Sequence, residues 1–260
     1  MYALAQKAAT DKVRLTRQLD FVCDAALALL YPLRCAACEA ASVERSADAP
    51  ACAACWDAAR VFAGDEPVCW KCGALSFAAV AGEFREGVRC HRCDEWEFTA
   101  ARAVGVYEGA LRASVLRLKH EPHVASRLAR LLHETQRRPP LDAASRVVPV
   151  PLHAERERER GFNQAAQLAR AVSARARLPL DEWSVLRVRH AERHRAGMDA
   201  RARRETVADA FEVVRPRLVE GERVLLVDDV FTTGATVSAC ARALRAAGAA
   251  QVFVLTVARA

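Results

Sequence analysis

The segment VLLVDDVFTTGAT, residues 224–236, places two adjacent carboxylates at the end of an apolar run. Burying Asp228 and Asp229 side by side is costly unless a ligand uses them. An ionised carboxylate only accepts hydrogen bonds, so the pair suits the neighbouring hydroxyl groups of a diol. A hydroxyl-bearing ligand is therefore expected at this strand end.

The turn that follows has the composition of a phosphate site. The amides of a tight loop and the N-terminus of the next helix attract anions, and threonine hydroxyls add donors. Glycine lets the backbone approach the ligand closely. The residues expected to hold the phosphate are Thr232, Thr233, Gly234, Ala235 and Thr236. A phosphate at one end and a diol at the other describe a ribose 5-phosphate.

Most of the ten cysteines form Cys-x-x-Cys pairs, a spacing that lets both thiolates face one tetrahedral metal ion. The pairs are Cys35 and Cys38, Cys52 and Cys55, Cys69 and Cys72, and Cys90 and Cys93. Four thiolates complete the coordination of Zn²⁺, so two structural zinc sites are expected, with a disulfide or redox set as the alternative. Joining consecutive pairs is the simpler arrangement, and a cross-braced arrangement stays open. The unpaired Cys23 and Cys240 are interpreted as small buried apolar side chains.

Beyond about residue 100 the sequence alternates between strand and helix patterns. This alternation predicts an α/β fold with a mostly parallel sheet flanked by helices. The run RVLLV before the carboxylates is uniformly apolar, as strands covered on both faces are. Ligands of such sheets bind outside the carboxyl ends of the strands. We therefore expect a small Cys-rich zinc-binding domain at residues 1–100, followed by the α/β domain at residues 101–260.

Charge is distributed unevenly between these two parts. Residues 1–100 hold 11 Lys and Arg against 14 Asp and Glu, whereas the whole chain holds 39 against 32, so the positive excess lies in residues 101–260. A basic domain suits phosphate-bearing partners, either small ligands or nucleic acid. No apolar run is long enough for a membrane span and no export signal is evident, which predicts a cytoplasmic protein. A P-loop is excluded, because no Gly-Lys pair occurs.

The segment VLLVDDVFTTGAT resembles the signature with which type I phosphoribosyltransferases bind phosphoribosyl pyrophosphate (PRPP). The Cys-rich first part and VPVPLHAERERERGFNQAAQLA, residues 148–169, narrow the resemblance to the ComF family of competence-associated proteins. The resemblance implies a type I phosphoribosyltransferase-like fold and PRPP with Mg²⁺ as ligands. It implies that Asp228 and Asp229 hold the ribose hydroxyls and that residues 232–236 hold the 5-phosphate.

The middle motif carries the candidates for the pyrophosphate. On the resemblance, the proline-rich VPVPL forms the loop that meets it. Arg158, Arg160 and the amides around Gly161 are expected to bind phosphate oxygens. Further phosphate or substrate candidates are Lys119, Asn163 and Gln164. The alternatives are a solvated helix face for HAERERERG and a structural role for RGFNQ.

Two functions are compatible with these motifs. An enzyme would bind PRPP and Mg²⁺ and transfer the ribose 5-phosphate to an acceptor. A non-catalytic competence factor would bind single-stranded DNA through the Arg-rich run at 187–204, work with other competence proteins, and keep the PRPP pocket as a sensor or relic. Ala191, His194 and Thr206 depart from the family pattern close to this run, so the resemblance does not define the acceptor.

Overall fold

The computed structural model describes residues 32–75, 88, 90, 93, 95–189 and 209–260. The apolar N-terminal segment with Cys23 lies outside these residues, as do Ala191, His194, Thr206 and most of the Arg-rich run. The helices are α1 (Ala53–Asp57), α2 (Gly109–Arg117), α3 (Ser126–Gln136), α4 (Ala154–Arg160), α5 (Gln164–Ala176) and α6 (Ala235–Ala246). The strands are β1 (Ala100–Val106), β2 (Arg146–Pro149), β3 (Val185–Arg187), β4 (Phe211–Val213), β5 (Arg223–Phe231) and β6 (Gln251–Arg259).

The centre of the fold is a four-stranded sheet in the order β1-β6-β5-β2. All three pairings in it are parallel, so the predicted α/β class is confirmed. Strand β5 lies inside the sheet between β6 and β2, and Val224 through Val227 are buried. This burial explains why the run before the carboxylates is apolar at every position rather than alternating.

Side chains from the two faces of the sheet form two cores. Leu225, Val227 and Leu255 pack on one face with helices α2, α3 and α5. Leu226 and Val254 point to the other face and pack with helix α6 and the β3–β4 pair. Neighbouring residues of one strand thus enter different cores, as the pleat of a strand requires.

The Cys-rich segments complete both cores. Cys35, Cys52 and Trp56 belong to the first core, whereas Cys69, Cys72 and Cys93 belong to the second. The two Cys-rich units therefore cover opposite faces of the sheet near its β1 edge. The division into residues 1–100 and 101–260 stays a prediction, because each core takes side chains from both sides of it.

The chain between the two Cys-rich units pairs with the free edge of β1. The amide of Phe62 donates to the Val104 carbonyl at 2.8 Å, and the amide of Val106 donates to the Arg60 carbonyl at 3.0 Å. Further along the strand, the Ala101 amide donates to the Lys71 carbonyl at 2.7 Å. Backbone groups that an edge strand would leave open are thereby satisfied.

The antiparallel pair β3–β4 was not expected from the sequence. Val185 pairs with Val213 and Arg187 with Phe211. Both strands are three residues long, which is too short for a periodic pattern to identify. Within the part of the chain that the structure describes, every helix is too short or too polar to cross a lipid bilayer.

Replacing Gly105 with alanine is expected to loosen the contact between β1 and the chain at residues 60–62. The added Cβ would collide with the Arg60 carbonyl and lie 2.7 Å from Leu111 Cδ1. Such overpacking against backbone costs about 3 kcal/mol in the free energy of unfolding, which urea denaturation measures. Hydrogen exchange of the Val106 amide should accelerate in parallel.

Gly221→Ala is the matched control, because Gly221 has a φ of +74° and an added Cβ there would meet nothing within 4 Å. It should cost only the backbone strain of about 1 kcal/mol and leave exchange of the Val106 amide unchanged. Equal exchange of that amide in the two variants would contradict the pairing.

Candidate functional site

A cavity of about 460 Å³ opens where strands β2 and β5 end. It lies outside the carboxyl ends of the parallel strands, where α/β sheets bind their ligands. The polar residues that line it are Tyr107, Lys119, Arg156, Arg160, Asn163, Gln164, Arg187, Asp228, Asp229, Thr232 and Thr236. Residues from well-separated stretches of sequence thus converge on one cavity.

The two aspartates lie within strand β5 rather than in the turn after it. The strand continues to Phe231, and the turn comprises residues 232–234. The Asp229 amide donates to Asp228 Oδ1 at 2.9 Å, and the Val230 amide donates to Asp229 Oδ1 at 2.7 Å. Because side chains alternate along a strand, the two carboxylates line the cavity from two sides of β5.

The surroundings raise the pKa of both carboxyl groups. Burial is the main cause for Asp228, the like charge of Asp229 adds to it, and Arg187 opposes it. Burial is again the main cause for Asp229, whereas Lys119 and Arg160 oppose it. The two carboxylates therefore have different cationic neighbours, although they also interact with each other.

The turn at residues 232–234 has the backbone of an anion site. Among the described residues, none accepts a hydrogen bond from the amides of Thr232, Thr233 or Gly234. Gly234 adopts a φ of +79° as the N-cap of helix α6, a conformation that favours glycine. Unpaired amides at a helix start are suited to phosphate oxygens.

The residues predicted to bind the phosphate fall into two groups, those that line the cavity and those that are buried below it. Thr232 and Thr236 line the cavity. Thr233 Oγ1 accepts from the Ala235 amide at a long 3.4 Å. Gly234 and Ala235 are buried beneath the turn, so they shape the backbone and do not present side chains to a ligand.

The basic candidates reach the cavity from helices α2 and α4. Lys119 follows α2, and Arg160 ends α4; both line the cavity. Arg158 differs from the expectation, because its side chain is exposed and its Nε donates to the Ala154 carbonyl at 3.3 Å. Arg156 lines the cavity instead, since positions four apart share one helix face.

The structure places Gly161 at the end of helix α4. Its amide donates to the Glu157 carbonyl at 2.7 Å, and its φ of +81° ends the helix in the left-handed conformation. This amide closes the helix, and phosphate binding by the amides around Gly161 stays a prediction.

Asn163 fastens the proline-rich loop to helix α5. Its Oδ1 accepts from the Ala165 amide at 3.0 Å as the N-cap of that helix. Its Nδ2 donates to the Val150 carbonyl, also at 3.0 Å. Gln164 is buried beside it and lines the cavity. One asparagine therefore fixes the loop that would meet the pyrophosphate.

Sequence reasoning missed Arg187 as a cavity residue. It ends strand β3, and its guanidinium lies over the Phe211 ring at 5.5 Å. Its buried Nε has no hydrogen-bond partner among the described residues. Burial, and then the nearby Arg156, lower the pKa of this guanidinium. Arg187 begins an Arg-rich run, and the sequence there does not distinguish a buried arginine from the solvated arginines beside it.

The cysteine thiols form two clusters that join consecutive pairs. Each cluster brings its four Sγ atoms within 4.8 Å of one another, and the members are Cys35, Cys38, Cys52 and Cys55, then Cys69, Cys72, Cys90 and Cys93. In the second cluster, the Sγ atoms of Cys69 and Cys93 are 3.4 Å apart, and those of Cys72 and Cys90 are 3.6 Å apart. Tetrahedral zinc with Zn–S bonds of about 2.3 Å would separate the sulfurs by about 3.8 Å. The four thiol donors of each cluster therefore suit structural zinc, and the distances between their sulfur atoms are close to those around a tetrahedral zinc ion.

Models of two protein families match this chain. A double zinc ribbon domain matches residues 26–94. A phosphoribosyl transferase domain matches residues 158–260. Together they assign the Cys-rich clusters to zinc ribbons and the parallel sheet to a phosphoribosyltransferase-like fold.

Several curated proteins are similar to this chain over part of their length. Competence protein F of Haemophilus influenzae is 34% identical over 164 residues, which cover 60% of this chain and 71% of the relative. DNA utilization protein YhgH of Escherichia coli O157:H7 is 34% identical over 173 residues, which cover 64% and 75%. Competence protein ComFC of Bacillus subtilis is 36% identical over 104 residues, 40% of each chain. The chain belongs to the ComF family.

Among solved structures, the glutamine PRPP amidotransferase from B. subtilis complexed with ADP and GMP is similar to this chain. It is 21% identical with a TM-score of 0.35, and the match covers 57% of this chain and 26% of that enzyme. The chain thus spans about a quarter of that enzyme's length.

Replacing Asp228 with asparagine is expected to stabilise the ligand-free protein. A raised carboxyl pKa means that ionisation opposes folding, so this cost grows as pH rises from the ordinary carboxyl range through the raised pKa. Each tenfold difference in proton affinity is worth about 1.4 kcal/mol, or a few degrees in Tm. The gain in Tm should be small at acidic pH and larger at pH 8.

Asp65→Asn is the control, because Asp65 is exposed and lies far from the cavity in sequence. It should leave Tm unchanged at every pH. A lower Tm for Asp228→Asn, or a gain independent of pH, would show that the buried carboxylate is not destabilising.

Proposed function

We propose that the cavity binds PRPP together with Mg²⁺ and that the chain transfers its ribose 5-phosphate to an acceptor. One observation carries the proposal: a single cavity is lined by two carboxylates, basic side chains and Thr232, the first residue of a turn whose amides find no acceptor among the described residues. Each of these features suits a different part of PRPP. The phosphoribosyl transferase domain model supports it, because its match includes the turn and both aspartates.

The ligand is expected to lie along the end of strand β5. The 5-phosphate would accept from the amides of Thr232, Thr233 and Gly234. The ribose hydroxyls would donate to Asp228 and Asp229. The pyrophosphate would extend toward the basic side chains on the Asp229 side, Lys119 and Arg160, whose proximity to Asp229 is reflected in its pKa.

The chemistry follows from this placement. Loss of pyrophosphate from the ribose develops positive charge on the sugar and negative charge on the leaving group. The carboxylates beside the sugar stabilise the first, and the cationic side chains stabilise the second. Mg²⁺, when bound with PRPP, would neutralise further charge on the pyrophosphate. The chain's own contribution is positioning and charge stabilisation, without a covalent intermediate.

The relatives suggest the biological setting. Their names refer to competence and to DNA utilization, and we assign this chain the same setting. A reducing cytoplasm would keep the cysteine thiols available for zinc. The alternative of a single-stranded-DNA-binding factor rests on these names and on the Arg-rich run, most of which lies outside the described residues.

Calorimetry with PRPP and Mg²⁺ tests the pocket. The wild type should bind, and the Asp228→Asn/Asp229→Asn double variant should bind at least about tenfold more weakly, since each charged hydrogen bond contributes about 1.5–3 kcal/mol. Lys119→Gln should weaken PRPP but leave ribose 5-phosphate unaffected, because only PRPP carries the pyrophosphate.

Three outcomes would contradict the proposal: no binding by the wild type, equal binding by the double variant, or equal losses of both ligands in Lys119→Gln. Steeply salt-dependent binding of single-stranded DNA that is lost on neutralising Arg201, Arg203 and Arg204, without any PRPP binding, would favour the DNA-binding alternative.

A further inference from the structure

An aromatic cluster connects the second zinc ribbon to the phosphate turn. Trp96 and Phe98 follow the last zinc ligand of this ribbon, Cys93, and Phe231 immediately precedes the turn. The ring centroid of Trp96 lies 5.3 Å from that of Phe98 and 5.5 Å from that of Phe231. The centroids of Phe98 and Phe231 are 6.0 Å apart, and these two rings meet edge to face. These distances are typical of mutually stabilising aromatic rings.

The turn rests directly on this cluster. A Cβ added at Gly234 would lie 2.8 Å from Phe231 Cζ and 3.1 Å from Trp96 Cζ2. The glycine backbone thus contacts the two rings with no space for a side chain. The position of the turn amides is therefore set by where Trp96 lies.

Two hydrogen bonds continue the connection. The Glu97 amide donates to Ser238 Oγ at 3.1 Å, so the chain beside Trp96 also holds the first turn of helix α6. The Ser238 amide in turn donates to the Gly234 carbonyl at 2.9 Å. The ribbon therefore fixes both the turn and the helix start that would receive the phosphate.

Arg259 forms a second link on the other side of Phe231. Its guanidinium lies 4.6 Å over the Phe231 ring, and its Nη1 donates at 2.7 Å to the carbonyl of Cys72, a member of the second thiol cluster. The Ala260 amide donates to the Phe231 carbonyl at 3.1 Å. Phe231 is thereby held between side chains that both depend on the second ribbon.

The first zinc ribbon has different neighbours. Cys35, Cys52 and Trp56 pack in the core with Leu111 and Leu128, on the opposite face of the sheet. Helix α3 also contacts this ribbon, because Nη1 of Arg127 donates to the Ala53 carbonyl at 3.4 Å. This ribbon covers the sheet away from the rings that support the turn.

We infer that the second zinc ribbon positions the phosphate turn, with Trp96 as the positioning residue, so that metal occupancy of this ribbon controls the affinity of the cavity. Zinc joins Cys69 and Cys72 to Cys90 and Cys93, and thereby fixes the backbone that leads to Trp96. Without the metal, Trp96 and Glu97 lose their tether, and the turn amides no longer converge. The inference rests on the proposed PRPP site, because the affected ligand is the one assigned to it.

The test compares one thiol from each ribbon in the full-length protein. Cys90→Ser and Cys38→Ser remove the half-buried thiol of the second ribbon and the exposed thiol of the first. Elemental analysis should find that each variant retains one zinc ion of the two that the clusters can hold. Cys90→Ser should accelerate hydrogen exchange of the Ser238 amide and weaken PRPP binding about tenfold, because the site loses preorganisation. Cys38→Ser should leave exchange of the Ser238 amide at the wild-type rate.

Trp96 variants separate positioning from folding while the zinc stays bound. Trp96→Ala should reproduce the faster Ser238 exchange and the weaker PRPP binding with both zinc ions retained. Trp96→Phe should show exchange of the Ser238 amide and PRPP binding close to those of the wild type, since a ring remains against Gly234. Trp70→Ala is the matched control, because Trp70 belongs to the same ribbon but stacks on Arg102, 4.9 Å from its ring centroid, rather than on the turn. It should change neither measurement.

The outcomes distinguish this inference from the proposed function. If the wild type fails to bind PRPP, the proposed function falls, and exchange of the Ser238 amide alone decides the inference. Equal exchange in Cys90→Ser and Cys38→Ser, or unchanged exchange in Trp96→Ala, would overturn the inference even if PRPP binds.

Discussion

The structure depends on covering both faces and both edges of a small parallel sheet. Buried parallel strands need apolar partners above and below, and their outer backbone groups need hydrogen bonds. Helices supply part of this cover, and helices α2 and α3 contact strand β1 on one face. The two zinc ribbons complete each face there, and the chain between them pairs with the β1 edge. At the other edge, the Val147 amide donates to the Pro179 carbonyl, and the Asp181 amide donates to the Val147 carbonyl. The two Cys-rich units thus add to both cores side chains that the helices alone do not supply.

The same cover imposes a cost at the ligand site. A strand that is buried on both faces carries two carboxylates near its end, and that burial is the main cause of their raised pKa values. Arg187 opposes the effect on Asp228, and Lys119 and Arg160 oppose it on Asp229. The two carboxylates are therefore held in a state that is unfavourable for the ligand-free protein, and the proposed ribose hydroxyls would offset that cost by donating to them. Stability and binding make opposite demands on these positions.

The features predictable from the sequence were those encoded by local spacing. The apolar run before Asp228 indicated a buried strand, and the Cys-x-x-Cys pairs indicated zinc. The features missed depend on contacts between distant residues. The sequence around Arg158 does not reveal which face of helix α4 meets the cavity, and Gly161 resembles a phosphate-binding glycine although it ends a helix. Arg187 becomes distinctive only when β3 pairs with β4 and brings it over Phe211.

The pairing between β1 and the chain at Arg60–Phe62 also bears on how the newly made chain behaves. Those residues lie between the two Cys-rich units, and bound zinc would contribute folding free energy to both units. Before metal is acquired, β1 would present open amides and carbonyls beside an incompletely covered apolar surface. Such an edge is a template for strands of other molecules. An uncovered edge of this kind favours association with strands of other molecules, which the pairing at residues 60–62 prevents in the folded chain.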